Sequence, residues 1–288
     1  MSHSETIQAL TGRPPPRRLR ALMALLAGEH QLLEPEDRAG LHPLVLPLAR
    51  SEEGQTLGLL RWATPPKAMP WPLVSAGEQG MRLLANSVDQ WIWKELATRD
   101  ADKESLAGLA RAANHDEQLY EPGDLEASKL PLMAYLVLRV GGIPEVYEEL
   151  ALRHLEKGDV MAALVTADRL CNVARGWALG HAFRSALLAD QGRHEAAADS
   201  ARAALVDPVW TLGRPFEPVA RRAGWRGSVD GSGYRLLAED EERSPLDRAA
   251  HWMDCWAVDG GDWDELRPVL AELYSSGGLP QMARFVTL

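Results

Sequence analysis

The same arrangement of small residues occurs twice in this chain, and it constrains the fold more than any other sequence feature. In the first copy Gly158 lies in a Gly-Asp turn, and a helical segment begins five residues later. In the second copy Gly192 takes that place, 34 positions further on, and an alanine-rich segment again begins five residues later. This segment closes at Pro208, where proline cannot continue a helix. The sequence therefore predicts two successive helical hairpins.

A period of 34 residues is that of the tetratricopeptide repeat, in which small residues let one helix of a hairpin lie close to its neighbour. The second copy resembles that family through Gly192, Ala197, Ala204 and Pro208. The first copy departs from it, because Leu170 stands where a small residue is usual and no proline closes the unit. A generic helical bundle is the alternative. We predict a mainly α fold, a tetratricopeptide-like α-solenoid with a small N-terminal antiparallel β element.

Proline and glycine divide the chain into three predicted parts. Residues 1–16 end in three prolines and are predicted to form a flexible tail. Residues 17–80 are predicted to hold a helix and a small β-sheet, since short apolar runs between 41 and 76 are bounded by turn residues. Residues 81–288 are predicted to be a helical repeat-like domain, which starts with a helix from Gly80 to Ala97 and contains a loop from Gly224 to Gly233.

Charge and cysteine content exclude several classes of protein. The net charge is −10, whereas a nucleic-acid-binding surface needs a basic face. Cys171 and Cys255 lie in apolar helical segments, which argues against a disulfide framework and favours a reducing cytoplasm.

The longest apolar runs fall far short of the roughly 20 residues of a membrane helix. The N-terminus also lacks the pattern of a signal peptide, so we expect a cytoplasmic protein without membrane insertion.

Three local patterns resemble ligand sites, and each has a simpler explanation. His251 and Cys255 stand one helical turn apart, but no second pair completes a metal site. The acidic run from 259 to 265 lacks the ligand order of a calcium loop, and Asp262 suits a helix N-cap. The glycine-rich run from 227 to 233 is not followed by Lys-Ser or Lys-Thr, so we interpret it as a connector. With no catalytic motif, we expect neither a cofactor nor an enzyme.

The ten tryptophans are an excess that points to protein contacts. Tryptophan supplies a large, rigid contact area, although most tryptophans in a helical protein belong to the core. Several fall near predicted turns or loops, namely Trp62, Trp71, Trp177, Trp210 and Trp225. We select Trp177 and Trp210 as candidate partner-binding residues.

Three segments are similar to a plastid and bacterial family whose plant member is called "protein in chloroplast ATPase biogenesis". They begin at His42-Pro43-Leu44, at Leu152-Arg153-His154 and at Pro208-Val209-Trp210, and the similarity spans most of residues 42–225. The resemblance implies a factor that assists assembly of the ATP synthase catalytic head, by holding an unassembled subunit. No evident transit peptide precedes these segments, which favours a bacterial cytoplasm over a plastid. No binding residue can be carried over from the family.

Two main hypotheses for function follow, and a third possibility is a subunit of a larger complex, which would expose an extensive apolar area. The first is a non-enzymatic helical-repeat protein that binds another protein, for which the resemblance implies an ATP synthase subunit. The second is an enzyme or small-ligand-binding protein whose site lies between the β module and the helical body. A broad open groove at that junction favours the first hypothesis, and a deep closed pocket with convergent polar groups favours the second.

Overall fold

The computed structural model describes residues 3–64, 69–77, 80–115, 117–225 and 230–288. The described chain is mainly helical, with a small antiparallel β-sheet near its N-terminus. This confirms the predicted combination of a mainly α chain and an N-terminal antiparallel β element.

Residues 3–11 are helical, within the segment 1–16 for which the sequence predicts a flexible tail. Helix α1 spans His3–Thr11 and contacts the last helix of the chain. Ile7 is completely buried, so α1 packs against the protein body. The prolines that follow are also held, because the Trp71 indole donates a hydrogen bond to the Pro14 carbonyl at 3.0 Å. No local sequence pattern indicates this packing, since the surface that covers Ile7 comes from distant residues.

The sheet has its strands in chain order, each antiparallel to the next, and it follows helix α2 (Leu19–Glu29). The strands are β1 (Gln31–Leu32), β2 (Val45–Arg50), β3 (Thr56–Leu60), β4 (Leu73–Gly77) and β5 (Gly80–Ala85). Strand β5 corrects the prediction of a helix beginning at Gly80. Its buried Met81, Leu83 and Ala85 alternate with more exposed residues, and that period of two is typical of a strand. Met81, Leu84 and Val88 fit the helical period, whereas Met81, Leu83 and Ala85 fit the period of a strand, and pairing with β4 decides between them.

A group of shorter helices follows the sheet. They are α3 (Val88–Ala101), α4 (Ala107–Ala113), α5 (Asp124–Ser128) and α6 (Leu132–Tyr135), and a π-helical turn (Leu136–Val140) continues α6. Helix α3 begins where the Ser87 hydroxyl accepts a hydrogen bond from the Gln90 backbone N–H at 3.3 Å. This cap separates β5 from α3 and ends the strand.

The repeated segment forms two helical hairpins. They consist of α7 (Pro144–Glu156) with α8 (Val160–Val173), and α9 (Ala178–Asp190) with α10 (His194–Ala204). Gly158 and Gly192 turn the two hairpins with φ of +76° and +71°, a backbone conformation that favours glycine. Between the hairpins, a Cβ on Gly180 would lie 3.0 Å from the Cys171 Cα. The small residue therefore lets α9 lie close to α8.

The C-terminal part begins with a 3₁₀ turn (Val209–Thr211). It continues with helices α11 (Phe216–Ala223), α12 (Ser232–Glu239), α13 (Pro245–Asp259), α14 (Trp263–Ser276) and α15 (Pro280–Val286). Helix α12 shortens the predicted loop from Gly224 to Gly233, of which residues 226–229 lie outside the described residues. Asp262 caps α14 as predicted, its carboxylate accepting a hydrogen bond from the Asp264 N–H at 3.0 Å. None of the helices in the described ranges is long and apolar enough to cross a membrane.

Candidate functional site: an aromatic cleft between the sheet and the C-terminal helices

A cleft of about 420 Å³ lies between the sheet and the connection from α13 to α14. This is the junction at which the sequence hypotheses placed a groove or a pocket. The sheet contributes Arg50, Gly54, Thr56, Ala76, Gly77, Gly80 and Met81, and the rest of the chain contributes Gly40, Leu41, His42, Trp210, Trp256, Ala257, Gly260, Gly261 and Trp263. We define this set as the aromatic cleft.

Strand register builds the sheet side of the aromatic cleft. Arg50 pairs with Thr56, Thr56 with Ala76, and Ala76 with Met81. Side chains directly opposite each other on neighbouring strands share one face of a sheet, so these four residues form a single row across it. Thr56 and Met81 are buried within the row, whereas Arg50 is exposed at its end.

A second hollow of about 470 Å³ lies beyond the tips of the β-hairpins. It shares Gly54, Gly77 and Gly80 with the aromatic cleft, and its wall includes Ser75 and Arg82. Ser75 pairs with Arg82 one position along from the Ala76–Met81 pair, so the second hollow takes the opposite face of the sheet. The shared glycines are exposed. The aromatic cleft therefore opens to solvent over the hairpin tips.

His42 lies between two indole rings in the floor of the aromatic cleft. Its ring centroid is 4.5 Å from that of Trp210 and 4.5 Å from that of Trp263. Burial and the nearby charges of Arg267 and Arg38 lower the pKa of His42 to about 3, so its imidazole is neutral. The Nδ1 atom accepts a hydrogen bond from the Leu44 backbone N–H at 3.2 Å. The proton is therefore on Nε2, which has no hydrogen-bond partner among the described residues.

Two buried arginines hold the segment that carries His42. Arg267 donates hydrogen bonds to the Arg38 and Leu41 carbonyls at 2.7 and 2.9 Å, and to the Val286 carbonyl at 3.0 Å. Arg38 donates to the Phe285 carbonyl, and its guanidinium lies 4.1 Å from the centre of the Phe285 ring. The cleft floor is thus joined to the end of the chain by side-chain bonds to backbone carbonyls.

Trp210 enters the aromatic cleft from the 3₁₀ turn, which is fixed at both ends. The Asp254 carboxylate on α13 accepts a hydrogen bond from the Val209 N–H at 2.8 Å. The Thr211 hydroxyl accepts one from the Ala178 N–H at 2.9 Å. Burial raises the pKa of Asp254 to about 7. The position of the Trp210 indole therefore depends on a buried carboxyl group.

Trp177 and Trp210, the predicted partner-binding residues, both lie in the interior. They are 1% and 3% exposed, and with Trp62 they form a cluster whose ring centroids are 5.3–6.2 Å apart. Such ring pairs stabilise a core by about 0.5–1.5 kcal/mol each beyond the area they bury. Trp177 is interior, and its role in partner binding stays a prediction. Trp210 differs, because one part of it borders the aromatic cleft.

Sequence reasoning missed three aromatic residues of the cleft, namely His42, Trp256 and Trp263. The signal for the two tryptophans was the Gly260-Gly261 turn between them. A Cβ on Gly261 would lie 2.5 Å from Trp256 Nε1, so only glycine fits against that indole. Trp256 Nε1 then donates a hydrogen bond to the Asp262 carbonyl at 2.8 Å. The turn was interpreted only as the start of a helix, although it also places two indoles.

The indoles of Trp210, Trp256 and Trp263 line the aromatic cleft. Its polar side chains include the exposed Arg50, whereas Trp210 Nε1 is a buried donor. Within the described ranges, no group of three or more His, Cys, Asp or Glu residues could hold a metal ion. His251 and Cys255 both lie on α13, where Cys255 donates to the Asp259 carboxylate at 3.5 Å.

Comparison with known proteins gives matches along almost the whole chain. Family models described as PAB N-terminal, PAB middle domain and PAB C-terminal domain match residues 1–139, 144–226 and 239–288. The Arabidopsis thaliana protein named "Protein IN CHLOROPLAST ATPASE BIOGENESIS, chloroplastic" is 33% identical over 301 aligned residues, which cover 99% of this chain and 90% of that protein. No solved structure matches the chain.

Proposed function

The chain belongs to the PAB family, and from that premise we propose that it is a non-enzymatic assembly factor that binds a subunit of the ATP synthase catalytic head before assembly. Membership of the family confirms the resemblance that the segments starting at His42, Leu152 and Pro208 indicated.

The observation that carries the proposal is the name of the Arabidopsis relative, which refers to ATPase biogenesis. The alignment covers nearly all of both proteins, so the similarity is not confined to one segment of this chain. An assembly factor has to hold a protein chain and release it, and neither step requires a catalytic group.

The architecture supports a protein partner over a small ligand. The aromatic cleft has exposed residues along its rim, including Gly40, Gly77 and Gly260, so a larger molecule could enter without displacing the walls. We further propose that α7–α10 are a tetratricopeptide-like pair of hairpins, on the basis of their 34-residue period and their glycine turns. Stacked hairpins of this kind present an extended surface suited to another protein.

The proposed location is a reducing cytoplasm. Cys171 is partly buried and Cys255 is buried, and both are free thiols. Free cysteines inside the protein body are typical of a compartment in which disulfides do not form.

Affinity capture from the native cell tests the proposal. A tagged copy of the full chain is expected to recover a catalytic-head subunit at low and at moderate salt, and mass spectrometry identifies it. The subunit should be recovered unassembled, without the rest of the ATP synthase. Recovery of only the complete enzyme, or of no head subunit from a well-folded protein, would contradict the proposal and favour a small-molecule ligand in the aromatic cleft.

A further inference from the structure

We propose that the aromatic cleft binds a short exposed segment of the partner protein in which a carboxylate side chain lies beside an apolar one. This inference rests on the proposed function, which supplies a protein as the partner, but the chemistry of the segment comes from the walls of the cleft.

The unpaired polar groups of the cleft wall are hydrogen-bond donors, so they favour a ligand with an acceptor. Trp210 Nε1 can only donate, and it has no hydrogen-bond partner among the described residues. His42 Nε2 is also a donor, since Nδ1 already accepts from the Leu44 N–H. Both nitrogens belong to residues that line the cleft, and an acceptor oxygen that reaches them would satisfy donors that the free protein leaves unpaired.

The charge of Arg50 favours a carboxylate as the acceptor group of the ligand. Its guanidinium stands at the exposed end of the cross-strand row, and no ion pair with it occurs in the described part of the chain. Arginine binds a carboxylate through two parallel N–H groups, a geometry that a backbone carbonyl cannot match. The second hollow differs, because Glu148 lies 2.6 Å from Arg82 and Glu53 borders the same space. The carboxylate is therefore assigned to the aromatic cleft and to Arg50.

The rest of the cleft takes an apolar side chain. Trp256 and Trp263 form one wall, Met81 lies in the floor, and Ala76 and Ala257 leave room between them. A volume of about 420 Å³ accommodates a few side chains of a polypeptide. An acidic residue next to a leucine or phenylalanine would place its carboxylate at Arg50 and its neighbour against the indoles.

Four synthetic peptides test this chemistry with the full chain. Each is an acetylated and amidated pentapeptide with Asp or Asn at the centre, flanked on both sides by Leu or by Ser. Binding is followed through the indole N–H resonances of the protein. The Asp peptide with Leu neighbours is expected to bind about tenfold more tightly than its Asn counterpart, since a charged hydrogen bond replaces a neutral one. Replacing Leu by Ser should weaken binding further.

Three variants assign the effect to the cleft. Arg50→Gln should abolish the preference for Asp over Asn, whereas Arg20→Gln, an exposed arginine outside the cleft, should preserve it. Ala76→Val should weaken all four peptides, because Ala76 is only half-buried and lies in the cross-strand row that faces the cleft. Equal binding of Asp and Asn peptides, an unchanged preference in Arg50→Gln, or no binding of any peptide would overturn the inference. If succinate binds in a way that depends on Arg50 and no peptide binds, the cleft is a site for a small carboxylate, and the inference is overturned as well.

The same variants separate this inference from the proposed function. Wild type, Arg50→Gln and Arg20→Gln are each used to capture a catalytic-head subunit from the native cell. Both proposals are supported if wild type and Arg20→Gln capture the subunit and Arg50→Gln captures at least about tenfold less of it. Equal capture by all three leaves the proposed function standing and overturns the role of the cleft. Arg50-dependent peptide binding without capture of any head subunit contradicts the proposed function while the chemistry of the cleft holds.

Discussion

Asp254 makes the stability of this protein depend on pH in a direction opposite to that of most acidic residues. The side chain is 6% exposed, and its carboxyl group accepts hydrogen bonds from the backbone of the 3₁₀ turn that carries Trp210. Burial raises its pKa from 3.8 to about 7, because the charged form loses its hydration. The folded state therefore holds a proton that the unfolded state has released between about pH 4 and pH 7.

The size of the pH effect on stability follows from the difference between the folded and unfolded pKa values of Asp254. A raised carboxyl pKa stabilises the folded state fully below the unfolded pKa, and the contribution is lost as the pH rises through the folded pKa. A shift from 3.8 to about 7 corresponds to about 4 kcal/mol in the free energy of unfolding, at 1.36 kcal/mol per pH unit. Asp254→Asn removes the ionisation and keeps one acceptor oxygen for the Val209 N–H, while the second backbone bond is lost at a cost of about 1 kcal/mol. The free energy of unfolding of the variant is thus expected to equal that of wild type or to lie slightly below it at pH 4.5. At pH 8.5 it is expected to exceed the wild-type value by about 2–4 kcal/mol.

Urea unfolding followed by tryptophan fluorescence measures the effect. The quantity of interest is the difference between variant and wild type at pH 8.5 minus the same difference at pH 4.5. Glu148 and Asp207 also have raised pKa values through burial, but they are present in both proteins and cancel. A difference that stays constant with pH would refute the assignment of a raised pKa to Asp254.

Three further substitutions test the packing and the caps, each by urea unfolding. Gly58→Ala would place its Cβ 2.5 Å from the Leu46 carbonyl oxygen, so it should cost several kcal/mol (about 3) and disturb the β2–β3 pairing; a loss under about 0.5 kcal/mol would contradict this contact. Trp177→Ala should cost about 3–5 kcal/mol as a core truncation, and a stable variant with lower partner capture would instead restore it as a binding residue. Asp262→Ala should cost about 0.5–2 kcal/mol while Asp262→Asn costs less, and equal losses would exclude the capping role.

The helical part of the chain was predictable because its determinants are local. Gly158 and Gly192 adopt the left-handed conformation that the turns require, so the spacing of two glycines marked both hairpins. The cap at Asp262 was predictable for the same reason, since a side chain and the backbone two residues away decide it. The apolar runs between residues 41 and 76 likewise indicated strands, each with its boundaries marked by turn residues.

The errors arose where distant segments decide the structure. Residues 3–11 contain few apolar side chains, and contacts with distant segments, α15 among them, bury Ile7 of the helix there. Residues 80–85 satisfy a helical spacing as well as a strand spacing, and pairing with β4 selects the strand. A local pattern cannot register either partner, since each lies elsewhere in the chain.

The candidate site likewise depends partly on local sequence and partly on contacts between distant segments. The sequence by itself determined the mainly helical fold, the position of the small sheet and the family, because periodicity, turn residues and similarity are properties of the chain in order. Only the tertiary structure decided which tryptophans are interior and which line the aromatic cleft. Trp263 is far in sequence from His42 and Arg50, and the three residues meet because strand register and the bonds of Arg267 to the Arg38 and Leu41 carbonyls fix where each segment lies.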